Sequence, residues 1–204
     1  MNEQVERDVM EYDVLIIGGG PSGLSSAIKV KQLASAEGKE VSVCVLEKGS
    51  EIGAHILSGN VFEPTALNEL IPDWKEKEAP LNSPATKDIV KFMISENSSI
   101  NIPFPSFLIP TFNNHGNYVM SLANFTRWLA TQAESLGVEI FPGFTAAEVI
   151  FEENVVKGVL TGEMGISKDG EKKPSYQPSM ELRGKYTVFA EGCRGHLGLS
   201  LIHI

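Results

Sequence analysis

Short apolar runs and a helical repeat alternate along the first fifty residues. Tyr12–Ile17 is a short run of mainly aliphatic and β-branched residues, typical of a parallel strand buried on both faces. Leu24–Ala36 predicts a helix, with Pro21 in its first turn and Gly38 available to end it. Val41–Leu46 predicts a second buried strand. The chain is therefore predicted to begin with a strand, a helix and a parallel strand.

A longer helical repeat appears in the second half of the chain, and strands follow it. The helical pattern begins at Val119. Its apolar positions recur at three- and four-residue steps: Leu122, Phe125, Leu129, Ala133 and Leu136. Residues 137–143, GVEIFPG, then begin a strand. We expect this region to be scaffold and not to carry chemistry.

The last sixty residues are predicted to form mainly β-strands. Ala146–Glu153 and Val155–Gly162 predict a hairpin that turns at Asn154. Residues 168–179, KDGEKKPSYQPS, have the polar composition of an exposed connection. Leu182–Ala190 then predicts a further strand. Together with the first fifty residues, these patterns indicate an α/β fold.

A glycine-rich turn joins the first strand to the first helix. Gly18, Gly20 and Gly23 occupy the spacing G-x-G-x-x-G between strand and helix, and Glu47 ends the second strand. In that context the glycines suit a pyrophosphate at the helix N-terminus, and the acid suits a ribose 2′-hydroxyl. The expected contact residues here are Gly18, Gly20, Pro21, Ser22, Gly23, Glu47 and Lys48. Because a carboxylate repels a 2′-phosphate, FAD or NAD is favoured over NADP, and these two remain open.

Two later segments favour FAD, because a flavin needs further contacts beyond the adenosine. The stretch after Glu47, EKGSEIGAHILSG, places small and polar residues at Gly53, Ser58 and Gly59. Glu191 and Gly192 follow the last predicted strand, and ligands of open α/β sheets bind at the carboxyl ends of strands. The alternative for the segment after Glu47 is a surface loop, and the alternative for Glu191 and Gly192 is a turn without a ligand.

Composition and charge exclude some classes of protein. The chain has 204 residues, 42% of them hydrophobic, which suits one large domain or one domain with a smaller inserted part. The formal charge of −9 argues against nucleic-acid binding and against a basic membrane anchor. The first residues, MNEQVERDVMEYD, do not resemble a secretory signal, and no apolar run is long enough for a transmembrane helix. Folding in the cytosol is expected.

The chain contains two cysteines, Cys44 and Cys193. Cys44 lies in a predicted buried strand, where a small apolar residue would serve equally well. Two cysteines cannot supply the four thiolates of an iron–sulfur or zinc centre. We therefore expect no metal ligands and no disulfide framework within this sequence.

The stretch IPFPSFLIP, residues 102–110, is apolar and contains three prolines, and it has neither helical nor strand periodicity. A chain that only needed to bury a core would rarely have this pattern, because prolines lack backbone donors and are excluded from helix interiors and central strands.

Several motifs together resemble the amino-terminal part of the electron transfer flavoprotein–ubiquinone oxidoreductase family. They are IIGGGPSGL, EKGSEIGAHILSG, PDWKEKEAPLN, NNHGNY, VEIFPGF and FAEGCRGHLG. The resemblance runs from about Tyr12 to Gly198. The first motif occurs in many flavoproteins, whereas GAHILSG, NNHGNY and AEGCRGHLG in this order are far more specific.

The resemblance implies a Rossmann-like FAD-binding domain of the glutathione-reductase-like type, with the start of an inserted quinone- and membrane-facing module. The implied parts are residues 1–70 and 118–198 for the FAD-binding domain, residues 71–117 for the module, and residues 199–204 as an atypical truncated tail. It also implies a monotopic enzyme that takes electrons from reduced electron transfer flavoprotein and passes them to ubiquinone. The family uses FAD and one [4Fe-4S] cluster, whose ligands lie outside this chain.

Under this resemblance the enzyme is expected at a respiratory membrane, on the cytoplasmic face of a bacterial inner membrane or the matrix face in mitochondria. The resemblance places the glycine loop and Glu47 at the FAD phosphates and ribose, and it places Glu191 and Gly192 in a second FAD-binding stretch. No residue is assigned as a catalytic acid or base. A geranylgeranyl-reductase-like or monooxygenase-like FAD enzyme, or a non-catalytic truncated chain, remains the alternative.

The resemblance also implies that the stretch IPFPSFLIP faces the membrane. Four of its side chains are then candidates for membrane contact: Phe104, Phe107, Leu108 and Ile109. Their burial in lipid would contribute on the order of 10 kcal/mol before ordering costs, as an upper bound. An irregular cap over the protein's own core is the alternative.

Overall fold

The computed structural model of the chain describes residues 7–102, 113–167 and 169–202. Two compact units are present. The first comprises Met1–Ile56 and Thr126–Ile204, and the second comprises Leu57–Phe125. The predicted module, residues 71–117, falls within the second unit. The four predicted membrane-contact residues, Phe104, Phe107, Leu108 and Ile109, lie outside the described residues.

Strands outnumber helices in both units. In chain order the elements are β1 (Val9–Ile17), α1 (Pro21–Ala36), β2 (Val43–Glu47), β3 (Asn60–Phe62), α2 (Thr65–Leu70), β4 (Ser83–Pro84), β5 (Val90–Ser95), β6 (Ser98–Ile102), β7 (Tyr118–Met120), α3 (Leu122–Ser135), β8 (Glu139–Pro142), β9 (Ala146–Glu152), β10 (Val155–Thr161), β11 (Met164–Ile166), β12 (Lys172–Gln177), β13 (Glu181–Phe189) and α4 (His196–Ile202).

A six-stranded sheet forms the first unit, in the order β8-β2-β1-β13-β10-β9. The pairs β8·β2, β2·β1 and β1·β13 are parallel, whereas β10 pairs antiparallel with both β13 and β9. β1 is central, and Ile17 lies opposite both Leu46 and Phe189. The carboxyl ends of three parallel strands therefore lie side by side, where an open α/β sheet binds its ligand.

The continuous apolar runs become the buried centre of this sheet, as predicted. Leu15 and Ile16 of β1 and Val45 of β2 are inaccessible to solvent, and Cys44 is equally buried. α1 contributes buried side chains that include Leu24 and Ile28. Burial of both faces explains why these strands are uninterrupted apolar runs and do not alternate with polar residues.

The boundaries of α1 agree with the sequence signals. Pro21 is its first residue, where the missing N–H costs no intrahelical hydrogen bond. Beyond the last turn, Gly38 has φ +65°, and the N–H of Lys39 donates to the carbonyl oxygen of Ala34 at 2.9 Å. A glycine in the left-handed region thus ends the helix.

Two details of the secondary-structure prediction are wrong. Val119 was expected to begin a helix, but it lies in β7 and α3 begins at Leu122. Strand pairing decides this, because Val119 lies opposite Val61 of β3 and Ser83 of β4. The helical repeat in α3 is otherwise confirmed by buried Phe125, Leu129 and Ala133, whereas Leu136 follows the last helical residue and is exposed.

The second error concerns the predicted polar connection at residues 168–179. Residues Lys172–Gln177 form β12, which pairs antiparallel with β11. The side chains of β12 are nearly all exposed, as the composition indicates. The backbone pairing forms because β11 lies nearby, and polar side chains do not prevent a strand on a two-stranded ribbon. The predicted hairpin of β9 and β10 is confirmed, with Asn154 at φ +64° in its turn.

The second unit contains a three-stranded sheet, β3-β7-β4, and a separate hairpin, β5-β6. Trp74 and Tyr118 meet edge to face, with ring centroids 5.8 Å apart, and the indole N–H of Trp74 donates to Asn68 Oδ1. Nearly every residue of β5 and β6 is exposed. Among the residues that the structure describes, no helix is both long and apolar enough to cross a membrane.

Candidate functional site

The glycine loop after β1 turns sharply against the end of β13. Gly18 has φ +115°, and a Cβ there would overlap the carbonyl oxygen of Ala190. Its N–H donates to the carbonyl oxygen of Leu46 at 2.8 Å, and the N–H of Ala190 donates to that of Ile17 at 2.8 Å. A glycine is required here both by backbone conformation and by the lack of space.

Gly23 brings α1 close to the same loop. A Cβ at Gly23 would overlap the carbonyl oxygen of Gly18 and would lie 3.2 Å from Cγ2 of Ile16. The amino-terminal turn of α1 is therefore held directly against the end of β1. This is the close packing of helix and strand that the third glycine of the predicted motif permits.

Gly20 differs from the other two glycines of the motif, because space is open beside it. A Cβ at Gly20 would meet no heavy atom of the described residues within 4 Å. Gly20 is the N-cap residue of α1, and within the described residues no side chain caps the helix there. The amino-terminal N–H groups and the positive end of the helix dipole remain available to an anion. The loop therefore fits a pyrophosphate group.

Glu47 contacts the loop directly, which the sequence did not predict. The N–H of Gly19 donates to Glu47 Oε2 at 2.9 Å, and the N–H of Gly49 donates to Glu47 Oε1 at 2.7 Å. One carboxylate thus joins the loop after β1 to the turn after β2. Each carboxylate oxygen has a second lone pair, so a ribose hydroxyl can still donate to Glu47.

Gly19 is a site residue that the motif does not include. A Cβ at Gly19 would lie 2.5 Å from Cδ1 of Ile52 and 3.0 Å from Cβ of Glu47. Any side chain would push the loop away from the Glu47 carboxylate. The run of three consecutive glycines was the available signal, since the motif specifies only the first and third of them.

The segment after Glu47 is held by contacts that the sequence did not reveal. The N–H of Gly143 donates to the carbonyl oxygen of Gly49 at 2.7 Å, and Arg127 of α3 forms an ion pair with Glu51 at 3.1 Å. Gly53, a predicted flavin contact, has φ +82° and is buried. Arg127 gave no signal in the sequence, because its partner is 76 positions away.

Glu191 organises the chain after β13. Its Oε2 accepts from the N–H of Gly198 at 2.9 Å, and its Oε1 lies 3.6 Å from Nδ1 of His196. A Cβ at Gly195 would lie 2.5 Å from Cβ of Glu191. Gly192 is exposed with φ +78°, and no heavy atom in the described part of the chain would contact a Cβ there. Glu191 therefore orders the turn, and Gly192 leaves space beside it.

The remaining predicted contacts differ in location. Pro21 and Ser22 begin α1 at the glycine loop, and Lys48 follows Glu47 with its side chain exposed. Ser58 and Gly59 belong to the second unit. Their predicted role in cofactor binding stays a prediction.

Two residues with strongly raised pKa values, Tyr12 and Cys44, lie within β1 and β2 and not in the glycine loop. Burial, and the hydrogen bond that its hydroxyl donates to Glu139 Oε2 at 2.8 Å, raise the pKa of Tyr12. Burial, followed by the charge of Glu139, raises the pKa of Cys44 to about 12. These residues stay protonated at neutral pH and support packing.

A family profile described as "NAD(P)-binding Rossmann-like domain" matches residues 16–72. Solved structures with a similar fold include a geranylgeranyl bacteriochlorophyll reductase-like protein from Thermoplasma acidophilum, with a TM-score of 0.59 and 20% identity, covering 90% of this chain and 40% of that one. THI4 from Thermovibrio ammonificans has a TM-score of 0.58 and 19% identity, covering 95% and 62%. The predicted α/β, Rossmann-like fold is confirmed.

Curated relatives are much more similar in sequence. The electron transfer flavoprotein-ubiquinone oxidoreductase of Pseudomonas aeruginosa is 58% identical over 201 residues, which cover 97% of this chain and 36% of that protein. The mitochondrial protein of that name from Mus musculus is 49% identical, covering 97% and 32%. Along nearly its whole length, the chain is therefore similar in sequence to electron transfer flavoprotein-ubiquinone oxidoreductases, and it spans about a third of the length of these relatives.

Proposed function

We propose that this chain is the FAD-binding part of a membrane-peripheral oxidoreductase that passes electrons from reduced electron transfer flavoprotein to ubiquinone. The observation that carries this proposal is the 58% identity to a protein of that name over 97% of the chain. The glycine loop adds a physical reason, because it leaves an anion-binding helix end open beside Gly20. The whole enzyme also uses a [4Fe-4S] cluster, with ligands outside this sequence.

In this proposal FAD would bind at the carboxyl ends of β1, β2 and β13. Gly18, Gly20 and Gly23 would hold the pyrophosphate at the start of α1, and Glu47 would accept a hydrogen bond from a ribose hydroxyl. Glu191 and Gly192 shape the turn after β13. When bound, FAD would supply the redox chemistry, and the residues of this chain would fix its position.

The overall reaction transfers two electrons from reduced electron transfer flavoprotein to the quinone. The quinone gains two electrons and two protons and becomes a quinol, while the donor flavoprotein is oxidised. No side chain of this chain is assigned to the proton transfers, since solvent water can supply the two protons, one to each carbonyl oxygen of the quinone. The residues of this chain therefore act by binding and positioning.

Membrane attachment is part of the proposal, at the cytoplasmic face of a bacterial inner membrane or the matrix face of a mitochondrial one. The β5-β6 hairpin supports it. Phe92 lies opposite Ile100 and Val90 lies opposite Ile102, so these four side chains share one face of the hairpin. Phe92 is 58% exposed and Ile100 is 55% exposed. We call these four residues the hairpin surface; it is an apolar patch suited to lipid.

A geranylgeranyl-reductase-like or monooxygenase-like FAD enzyme is the second candidate. The likeness to the Thermoplasma protein favours it only at the level of fold, because the identity is 20%. A chain without catalytic function on its own also remains compatible with a length of about a third of the relatives. The sequence identity of the named relatives supports the first candidate more strongly.

The cofactor is tested by purifying the 204-residue chain without added flavin and recording its visible spectrum and FAD-to-protein ratio. A nearly stoichiometric flavin supports the proposal. If the chain is folded but colourless, the same measurement is made on the full-length enzyme. Absence of FAD from the full-length enzyme would overturn the proposed FAD binding. Full-length enzyme is then mixed with reduced electron transfer flavoprotein and a ubiquinone analogue, and lack of quinone reduction by the FAD-loaded enzyme favours the second candidate.

Membrane attachment is tested with full-length enzyme and phospholipid vesicles. Phe92→Asp on the hairpin surface, and Phe107→Asp in the proline-rich stretch, are expected to reduce co-sedimentation. Ser99→Asp is the matched control, because Ser99 pairs with Met93 on the other face of the hairpin. Equal binding by all variants and the wild type would refute the membrane proposal.

A further inference from the structure

Asp88 and Asn114 are joined at the foot of the β5-β6 hairpin. The side-chain Nδ2 of Asn114 donates to Asp88 Oδ1 at 2.6 Å, and the backbone N–H of Asn114 donates to Asp88 Oδ2 at 3.1 Å. Both carboxylate oxygens of Asp88 are thus used, and Asn114 is held by its backbone and its side chain. The two residues are 26 positions apart, and β5 begins two residues after Asp88.

These hydrogen bonds continue the backbone pairing of the three-stranded sheet. Pro84 lies opposite Tyr118, and the N–H of Ala85 donates to the carbonyl oxygen of Asn117 at 2.8 Å. Asn117 in turn donates from Nδ2 to Asn114 Oδ1 at 3.3 Å. The chain entering the hairpin region and the chain leaving it are therefore joined from β4 and β7 out to Asp88 and Asn114.

The hairpin itself has little packing to hold it. Its residues are exposed except for Val90 and Ile102, which are half-buried. An isolated two-stranded hairpin is marginally stable in water, so its orientation depends on its attachment to the rest of the unit. Hydrogen bonds to a carboxylate are stronger than those between neutral groups, which makes this pair effective at the attachment point.

We propose that Asp88 and Asn114 are positioning residues that clasp the foot of the hairpin and hold the hairpin surface in the orientation in which it engages the membrane. The inference rests on the proposed membrane attachment. Neither residue touches the cofactor or the quinone in this proposal. They restrict the conformations of the chain at the foot of the hairpin. The hairpin surface therefore loses less conformational entropy when it binds lipid.

The test exchanges the two side chains in full-length, FAD-loaded enzyme. Asp88→Ala removes both acceptors. Asp88→Asn alone places an amide nitrogen against one of the two donors of Asn114. The combined variant Asp88→Asn, Asn114→Asp restores complementarity, because the new amide at position 88 donates to the new carboxylate at position 114 and its oxygen accepts the backbone N–H there. The carboxylate at position 114 still accepts from Asn117.

Two readouts separate the clasp from a general loss of structure. Hydrogen exchange of the amides in residues 90–102 is expected to accelerate about tenfold in Asp88→Ala, as the loss of hydrogen bonds to a charged group implies. Vesicle binding should weaken in parallel. Both should return to wild-type values in the exchanged pair. FAD content and hydrogen exchange in residues 18–23 should be the same in all variants.

The possible failures are distinguishable. Wild-type enzyme that does not bind vesicles overturns the proposed membrane attachment. Wild-type enzyme that binds, with Asp88→Ala binding equally well and exchanging equally slowly, overturns the clasp. Failure of the exchanged pair to restore exchange and binding also overturns it, because the geometry then does not account for the effect.

Discussion

The N–H of Gly19 donates a hydrogen bond to Glu47 Oε2 at 2.9 Å, across 28 positions of sequence. The other carboxylate oxygen, Oε1, accepts from the N–H of Gly49. Glu47 therefore fixes the shape of the glycine loop as well as facing the proposed ribose position. The same carboxylate therefore shapes the loop and, in the proposed function, would bind the ribose of FAD.

Glu47→Gln is expected to weaken FAD binding at least about tenfold, because one backbone N–H would then face an amide nitrogen instead of a carboxylate oxygen. The measurement is a flavin fluorescence titration of full-length enzyme stripped of FAD. Glu37→Gln is the control, since Glu37 forms an exposed ion pair with Lys39 and lies outside the glycine loop. Equal affinity in the Glu47→Gln variant and the wild type would contradict the assignment.

Gly23→Ala should reduce the stability of the protein, whereas Gly20→Ala should reduce its affinity for FAD. The new methyl group at position 23 would overlap the carbonyl oxygen of Gly18, so the FAD-free protein should lose about 1–3 kcal/mol of stability or more. At position 20 no described heavy atom lies within 4 Å, so the FAD-free protein should be almost unaffected while FAD affinity falls. Urea unfolding and FAD titration together distinguish the two, and similar stability losses would count against the proposed roles.

The two cysteines should differ greatly in reactivity. Burial raises the pKa of Cys44 to about 12, whereas Cys193 is exposed. In the native 204-residue chain at pH 8, a thiol reagent such as DTNB should therefore modify one cysteine quickly and the second only after unfolding. Cys193→Ser should abolish the fast phase. A fast phase that persists in this variant would show that Cys44 is accessible.

Asp13 should make stability depend on acid pH. Its hydrogen bond with Lys185, followed by those from Ser42, lowers its pKa from 3.8 to about 2. Because the folded-state pKa is below the unfolded one, the contribution is complete above pH 3.8 and is lost as the pH falls towards 2. The urea midpoint of Asp13→Asn should accordingly fall less between pH 4 and pH 2 than that of the wild type.

Lys185→Gln provides a second measurement of the same interaction. It removes the main cause of the low pKa of Asp13 and should bring the pH profile closer to that of Asp13→Asn. Salt should also reduce the wild-type contribution, since both side chains are partly exposed. Parallel profiles for wild type and Asp13→Asn would show that the ion pair does not contribute.

The sequence predicted the strand-helix-strand unit well because its signals are local. Gly18, Gly23 and Pro21 act on the backbone around themselves, and the structure confirms the conformation or close approach expected for each. Val119 was wrongly predicted as helical because its strand conformation depends on β3 and β4, which are distant in sequence. The same reason applies to β12, whose partner β11 supplies backbone hydrogen bonds that side-chain composition does not reveal.

By itself, the sequence determined the buried parallel strands, the glycine loop and the family to which the motifs point, because these depend on short-range patterns. Tertiary structure alone decided the partners of Glu47, the ion pair of Arg127 with Glu51, and the joining of Asp88 to Asn114. Apart from the hydrogen bond between Gly49 and Glu47, which are two positions apart, these contacts join residues between 26 and 76 positions apart. The physical reason is that a polar side chain finds its hydrogen-bond partner only after strand pairing has brought distant segments together.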